Sequence, residues 1–201
     1  MDKSLYLDHL NLLPIPGEAF FYPEFFEKEL SDQYFTYLTT NIDWKQESVQ
    51  VFGKQVLLPR ITAFYGDKGI SYSYPGTTMK ALPWTDVLQR IKQDIEVKFD
   101  VKFNSCVLSH YRDGADHMGW HRNNSKNLGQ YPFIASVSFG ASRKLHYRHY
   151  EDNIPIISIE LSHGSLLVMK DETQRLWEQR LPKTIIPAKD RINLTFQFII
   201  E

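Results

Sequence analysis

The last stretch of the chain carries the clearest pattern: Ile192, Leu194, Phe196 and Phe198 alternate with Arg191, Asn193, Thr195 and Gln197. A period of two predicts a β-strand over 191–200, with the apolar set on a core face and the polar set opposite. The polar face meets either solvent or a polar cavity inside the fold, and the periodicity does not choose between them. Shorter apolar runs bounded by turn residues predict strands at 49–52, 55–58, 61–65, 70–74, 104–111, 133–139, 143–149, 156–161 and 165–169, with Gly53-Lys54 as a tight hairpin between the first two. Two segments keep helical spacing instead. In 24–42, Ser31 is placed to cap a run with Tyr34, Phe35, Leu38 and Ile42 on one stripe; in 85–96, Thr85 caps Val87, Leu88, Ile91 and Ile95. Helices first and many short strands afterwards predict an α+β fold built on an antiparallel sandwich or jelly roll.

Composition narrows the class. A chain of 201 residues suits one domain, read as 1–201 with an N-terminal arm over 1–20. The longest apolar stretches run four to six residues, too short to span a bilayer, and Asp2, Asp8 and Glu18 interrupt any secretory signal. The expectation is a soluble protein of the cytoplasm, or of the nucleus in a eukaryote. A single cysteine, Cys106, excludes an internal disulfide framework and a cysteine-based zinc site. The overall charge of −1 divides into −5 over 1–32 and +4 over 33–201. A mildly basic body permits nucleic-acid binding without requiring it.

Three ordered blocks carry a resemblance: 59–74 (PRITAFYGDKGISYSY), 104–140 (NSCVLSHYRDGADHMGWHRNNSKNLGQYPFIASVSFG) and 163–183 (HGSLLVMKDETQRLWEQRLPK). Together they resemble the AlkB family of iron(II)- and 2-oxoglutarate-dependent dioxygenases, which remove alkyl groups from nucleobases, and most closely its duplex-DNA branch. The resemblance implies a double-stranded β-helix (jelly roll) with flanking N-terminal helices. It also implies DNA or RNA with an alkylated base as partner, and iron(II) and 2-oxoglutarate as the family's cofactors, expected here to be bound weakly or not at all; the chain is expected to be a monomer without membrane association.

The family's metal ligands are a His-x-Asp pair and a distant His. Those positions here hold His121, Asn123 and Gln179, so two of the three are neutral amides, and the next position is Asn124. Iron(II) sits near the weak end of the divalent affinity series and is served by imidazole and carboxylate. The co-substrate positions are also altered. Ser109 stands where the family has Asn, two residues before the retained Tyr111, and the family's Arg-x5-Arg becomes Arg191 and Gln197. Losing one arginine removes a charge-assisted carboxylate clamp.

The base-handling positions are better kept. Phe52 and Lys54 match a hairpin whose aromatic tip wedges into the duplex; Arg60, Tyr72 and Tyr74 match positions lining the flipped-base pocket, with Tyr74 and His121 as the sandwich and Asn124 as a further base-binding position. Other residues read more blandly. His117, four positions before His121, is a weak alternative ligand; His146 and His149 fall on opposite strand faces; His163 reads as structural; His110 alternates away from Ser109 and Tyr111 and should point outward. Asp116 reads as a loop residue, Trp84, Trp120 and Trp177 as scaffold aromatics, and Cys106 as inert packing. Three functions fit: a non-catalytic module that recognises an alkylated base, a dioxygenase tolerating an unusual ligand set, and a pseudoenzyme serving a small molecule or protein partner.

Overall fold

Alternating apolar positions assemble into two antiparallel sheets with helices on one side. The computed structural model describes residues 10–14, 16–51, 53–74, 77–123, 126–185 and 189–200. The strands are β1 (Glu18–Tyr22), β2 (Ser48–Val51), β3 (Lys54–Leu57), β4 (Ile61–Gly66), β5 (Ser71–Tyr74), β6 (Thr77–Lys80), β7 (Ser105–Tyr111), β8 (Met118–His121), β9 (Ile134–Gly140), β10 (Arg143–His149), β11 (Ile157–Leu161), β12 (Ser165–Lys170), β13 (Trp177–Leu181) and β14 (Arg191–Gln197). The helices are α1 (Lys28–Asn41), α2 (Asp86–Phe99) and the short α3 (Thr173–Leu176). Six strands form one sheet in the order β1-β12-β9-β14-β7-β4, four form a second in the order β11-β10-β13-β8, and β2-β3 and β5-β6 are separate hairpins. This is the expected jelly roll.

The larger sheet is covered on both faces. On one side Leu38 of α1 and Leu88, Ile91 and Ile95 of α2 are fully buried in one cluster with Val137, Leu166, Ile192, Leu194 and Phe196. Each such side chain contributes about 1.5–3 kcal/mol by leaving water. On the other side Phe64, Ile134 and Leu167 meet Leu145, Tyr147, Leu161 and Leu181 of the smaller sheet.

Helix α2 forms as its sequence predicts: the Thr85 hydroxyl accepts from the Leu88 N–H at 3.2 Å. It runs past 96 to Phe99, where Asp100 takes the left-handed conformation (φ 51°) and ends it. Helix α1 corrects the sequence reading. It starts at Lys28, and Ser31 lies within its first turn, donating to the Phe26 carbonyl at 3.1 Å. Ser31 is buried there because the turn at Gly164 presses on it. A Cβ at Gly164, whose φ is +74°, would come within 2.5 Å of Ser31 Oγ.

Four more expectations need correcting. The segment read as an arm enters the fold early: Asn11 Nδ2 donates to the Gly17 carbonyl, and β1 pairs with β12 as an edge strand. The final strand stops at Gln197 rather than 200; Asn104 Oδ1 takes the Ile199 N–H, and Phe198 turns out half-exposed. Asp116 is a buried anchor, since Arg112 grips both its oxygens at 2.8 and 3.0 Å. His110 does point away from Ser109, but into the helix-covered side. It is buried against Trp44, with Nε2 2.9 Å from Asp190.

Candidate functional site

The register of the larger sheet builds the floor of a polar cavity. Ser109 pairs with Thr62 on one side and Asn193 on the other, and Asn193 pairs in turn with Ser138. One row across the sheet is therefore all hydroxyl and amide. The neighbouring row pairs Tyr111 with Arg191, and a third pairs Val107, Thr195 and Ser136. Side chains two apart share a face, so Arg191, Asn193, Thr195 and Gln197 all enter the space between the sheets. The polar face of β14 thus lines a cavity rather than solvent.

That cavity measures about 350 Å³, at the small end of the range for small-molecule sites. Leu145, Leu161 and Leu181 supply an apolar wall from the smaller sheet. His121 and Met118 reach the cavity together although they are three apart in β8. The register with β13 shifts between Gln179 and Leu181, so both lie opposite inward-facing partners. Of the positions expected at the site, Arg60, Tyr72, Ser109, Tyr111, His121, Asn123, Gln179, Arg191 and Gln197 all line this one cavity. Lys54 does not; it lies exposed on the β2-β3 hairpin. Phe52, Asn124 and the side chain of Tyr74 lie outside the described residues. Thr62, Ser136, Asn193 and Thr195 also line the cavity. The last two were legible from the alternation of β14.

The chemistry at His121 follows from its hydrogen bonds. Nδ1 lies 2.9 Å from the Gly119 carbonyl, which makes Nδ1–H the donor and leaves a lone pair on Nε2. Gln179 Nε2 lies 3.4 Å from that atom, so an amide donor faces the lone pair that would take a metal. Burial, with Arg60 nearby, holds the His121 pKa below its ordinary value, and the ring is neutral at pH 7. Asn123 is fixed through its backbone, whose N–H donates to Gln174 Oε1 at 3.0 Å.

Charge decides what the cavity accepts. Arg60, Arg122 and Arg191 line it, and no Asp or Glu among the described residues does. Nor do the described residues contain any group of three or more His, Cys, Asp or Glu able to hold a metal ion. One imidazole and two amides, with Arg60 and Arg191 in the lining and no carboxylate among the described residues, do not fit an iron(II) ion, whose charge calls for an anionic donor. The alternative ligand His117 is turned elsewhere, with Nδ1 on the Ala115 carbonyl at 3.0 Å.

The floor is tightly organised around Arg191. One of its terminal nitrogens donates to Ser138 Oγ at 2.9 Å and to Asn193 Oδ1 at 2.8 Å, and its guanidinium lies 5.3 Å from the Tyr111 ring centre. Asn193 also accepts from Ser136 Oγ at 3.0 Å and donates to Thr195 Oγ1 at 3.0 Å. Tyr72, whose pKa burial raises, rests 5.8 Å from Phe64 at the opposite end of the lining.

The remaining singled-out residues are structural. His163 accepts from the Gly140 N–H at 2.8 Å, Trp177 is buried, and burial raises the Cys106 thiol far above its ordinary pKa. Trp120 differs from the other tryptophans. It lies between the guanidiniums of Arg148 and Arg180, at 4.4 and 4.5 Å. A wider open groove of about 1320 Å³ borders Arg112, Arg143 and Asp190. Its buried arginine and Asp190 are already engaged: Arg143 donates to the carbonyls of Asp113, Asp116 and Pro182, and Asp190 meets His110. The inter-sheet cavity is the better candidate.

Comparison with known proteins identifies the family. Residues 18–197 match the model of the 2OG-Fe(II) oxygenase superfamily. The human DNA oxidative demethylase ALKBH2 is 35% identical over 189 residues, covering 89% of this chain and 72% of that protein. The bovine alpha-ketoglutarate-dependent dioxygenase alkB homolog 3 is 36% identical over 186 residues, covering 88% of this chain and 64% of that one. Among solved structures, OsALKBH1 superposes with a TM-score of 0.66 at 13% identity, over 92% of this chain and 99% of that chain, a likeness of fold. The chain belongs to the 2OG-Fe(II) oxygenase superfamily and, within it, to the AlkB family.

Proposed function

We propose that this chain recognises alkylated nucleobases in DNA or RNA and does not remove the alkyl group by iron chemistry. The observation that carries the proposal is the donor set: Gln179 faces the His121 lone pair, Asn123 stands where the family has a carboxylate, and no described Asp or Glu lines the cavity. The relatives named as DNA oxidative demethylase and alpha-ketoglutarate-dependent dioxygenase supply the substrate class. Arg60, Tyr72 and His121 share one cavity, which supports a base-binding role for these positions. A neutral imidazole and a phenol ring offer flat surfaces on which an extruded base stacks, and Arg60 offers donors to its edge. Extrusion costs a few kcal/mol, least for a damaged base, and stacking offsets that cost. Phe52 and Tyr74 are proposed as wedge and second stacking ring on the strength of the resemblance.

The test is fluorescence anisotropy in EDTA with matched, 3-methylthymine-containing and single-stranded oligonucleotides at two salt concentrations. The expected result is metal-independent binding that favours the alkylated base and weakens steeply as salt rises, since phosphate contacts carry much of the affinity. Absence of binding to all three at low salt retires the nucleobase reading. Demethylation in the presence of iron(II) and 2-oxoglutarate retires the non-catalytic one.

A further inference from the structure

The most deeply buried cation in the cavity has no counter-charge. Arg191 is 2% exposed, its Nε has no hydrogen-bond partner, and the lining around it contains no described carboxylate. Three arginines that water reaches are paired with carboxylates: Arg112 with Asp116, Arg148 with Glu178, Arg175 with Glu172. Arg143, 5% exposed, is satisfied by three backbone carbonyls. A buried guanidinium with open donors, aimed into a cavity, is a site for an anion.

The rest of the floor specifies the other end of that anion. Asn193, Ser136 and Thr195 are bonded to one another. Two neutral groups do have open valences: Gln197 Nε2 and Thr62 Oγ1 are buried without partners. Gln197 is 2% exposed, and its amide offers a donor without a charge. A second carboxylate at that end would be desolvated against a neutral amide, whereas a carbonyl oxygen would be matched. Between the two ends, Leu145, Leu161 and Leu181 face a short apolar segment.

We propose that the inner cavity binds, without metal, a small acid bearing one carboxylate, held by Arg191, and an uncharged carbonyl or amide oxygen, held by Gln197. This rests on the reading that the cavity performs no iron chemistry, and it is independent of whether a nucleobase enters the mouth.

The test is isothermal titration of the full chain in EDTA with glutaramate, glutarate and 2-oxoglutarate, supported by thermal melting. Glutaramate should bind at least tenfold more tightly than either dianion. Arg191→Lys keeps the charge but loses the planar fork, and should weaken glutaramate at least tenfold. Gln197→Arg should reverse the order in favour of the dianions while the unliganded melting temperature stays within a few degrees. If none of the three binds, this inference fails and the nucleobase reading stands on its own anisotropy result. If 2-oxoglutarate binds best, and only when manganese(II) replaces EDTA, both this inference and the non-catalytic reading fail.

Discussion

Replacing Arg191 by methionine should leave the protein as stable as before or slightly more so, which is unusual for a fully buried residue. Burial drives the Arg191 pKa from its ordinary value down to about 10, with Tyr111 opposing and Arg143 reinforcing the change. That difference corresponds to roughly 3 kcal/mol held against the charged side chain in the folded state. Methionine relieves this cost and keeps most of the side chain's volume. It also removes the bonds donated to Ser138 and Asn193, whose loss costs about 1–3 kcal/mol in total once both acceptors are left in a buried setting. The balance lies between no change and a gain of about 2 kcal/mol. Buried charges replaced by well-packed apolar groups behave this way in other proteins. Urea and thermal denaturation at pH 7, in a buffer without carboxylates, measure it directly. Each kcal/mol corresponds to about 2–4 °C in a chain of this size. Millimolar glutaramate should raise the melting temperature of the original chain and leave the Arg191→Met variant unmoved, because only the former gains by binding. A loss of more than about 2 kcal/mol on substitution would mean that Arg191 is already compensated and that its burial carries no net cost.

Three other outcomes are expected. Asn123→Asp with Gln179→His should create manganese(II) binding, because it adds a carboxylate and a second imidazole beside His121; turnover should stay weak while Gln197 remains, as succinate release would report. Tyr72→Ala should weaken binding of an alkylated oligonucleotide by about 1–3 kcal/mol if the ring stacks on the base, read by anisotropy. Glu96 gives a test of the scaffold. Burial alone would raise its carboxyl, but Lys92 Nζ at 2.8 Å and the Phe103 N–H at 2.8 Å outweigh burial and hold it below the ordinary value. With a folded pKa below the unfolded one, its contribution is present above the ordinary carboxylate range and lost as pH falls through the depressed value. Glu96→Gln should therefore lower stability at pH 7 by about 1–3 kcal/mol, with the gap closing as denaturation is followed below about pH 4.5.

What the sequence made legible depended on whether a strand obeyed a two-faced rule. β14 did, and its polar positions proved to be the cavity floor; Thr85 capped α2 as its position predicted. The strands carrying the metal positions did not. β13 turns Gln179 inward between Trp177 and Leu181, so a polar residue breaks the apolar alternation. β8 is four residues long, with His121 inside and Trp120 between two outer arginines, the reverse of apolar-in and polar-out. Only the resemblance placed these residues at the site. β1 escaped notice because the acidic character of the first residues suggested a solvated arm, whereas 18–22 pair along β12. His110 shows the limit of alternation: it correctly assigned the face opposite Ser109, but that face lies under helices and Trp44 rather than in water. Ser31 has the residue type of a cap, yet the cap position belongs to Glu27, and Ser31 is needed small where the Gly164 turn approaches.

The donor set around His121 should not hold a divalent metal, which a manganese(II) titration followed by electron paramagnetic resonance will show. With the full chain at about 100 μM and 2-oxoglutarate present, the free-manganese signal should rise in step with added metal, as it does without protein. A stoichiometric loss of that signal, abolished by His121→Ala, would contradict the account.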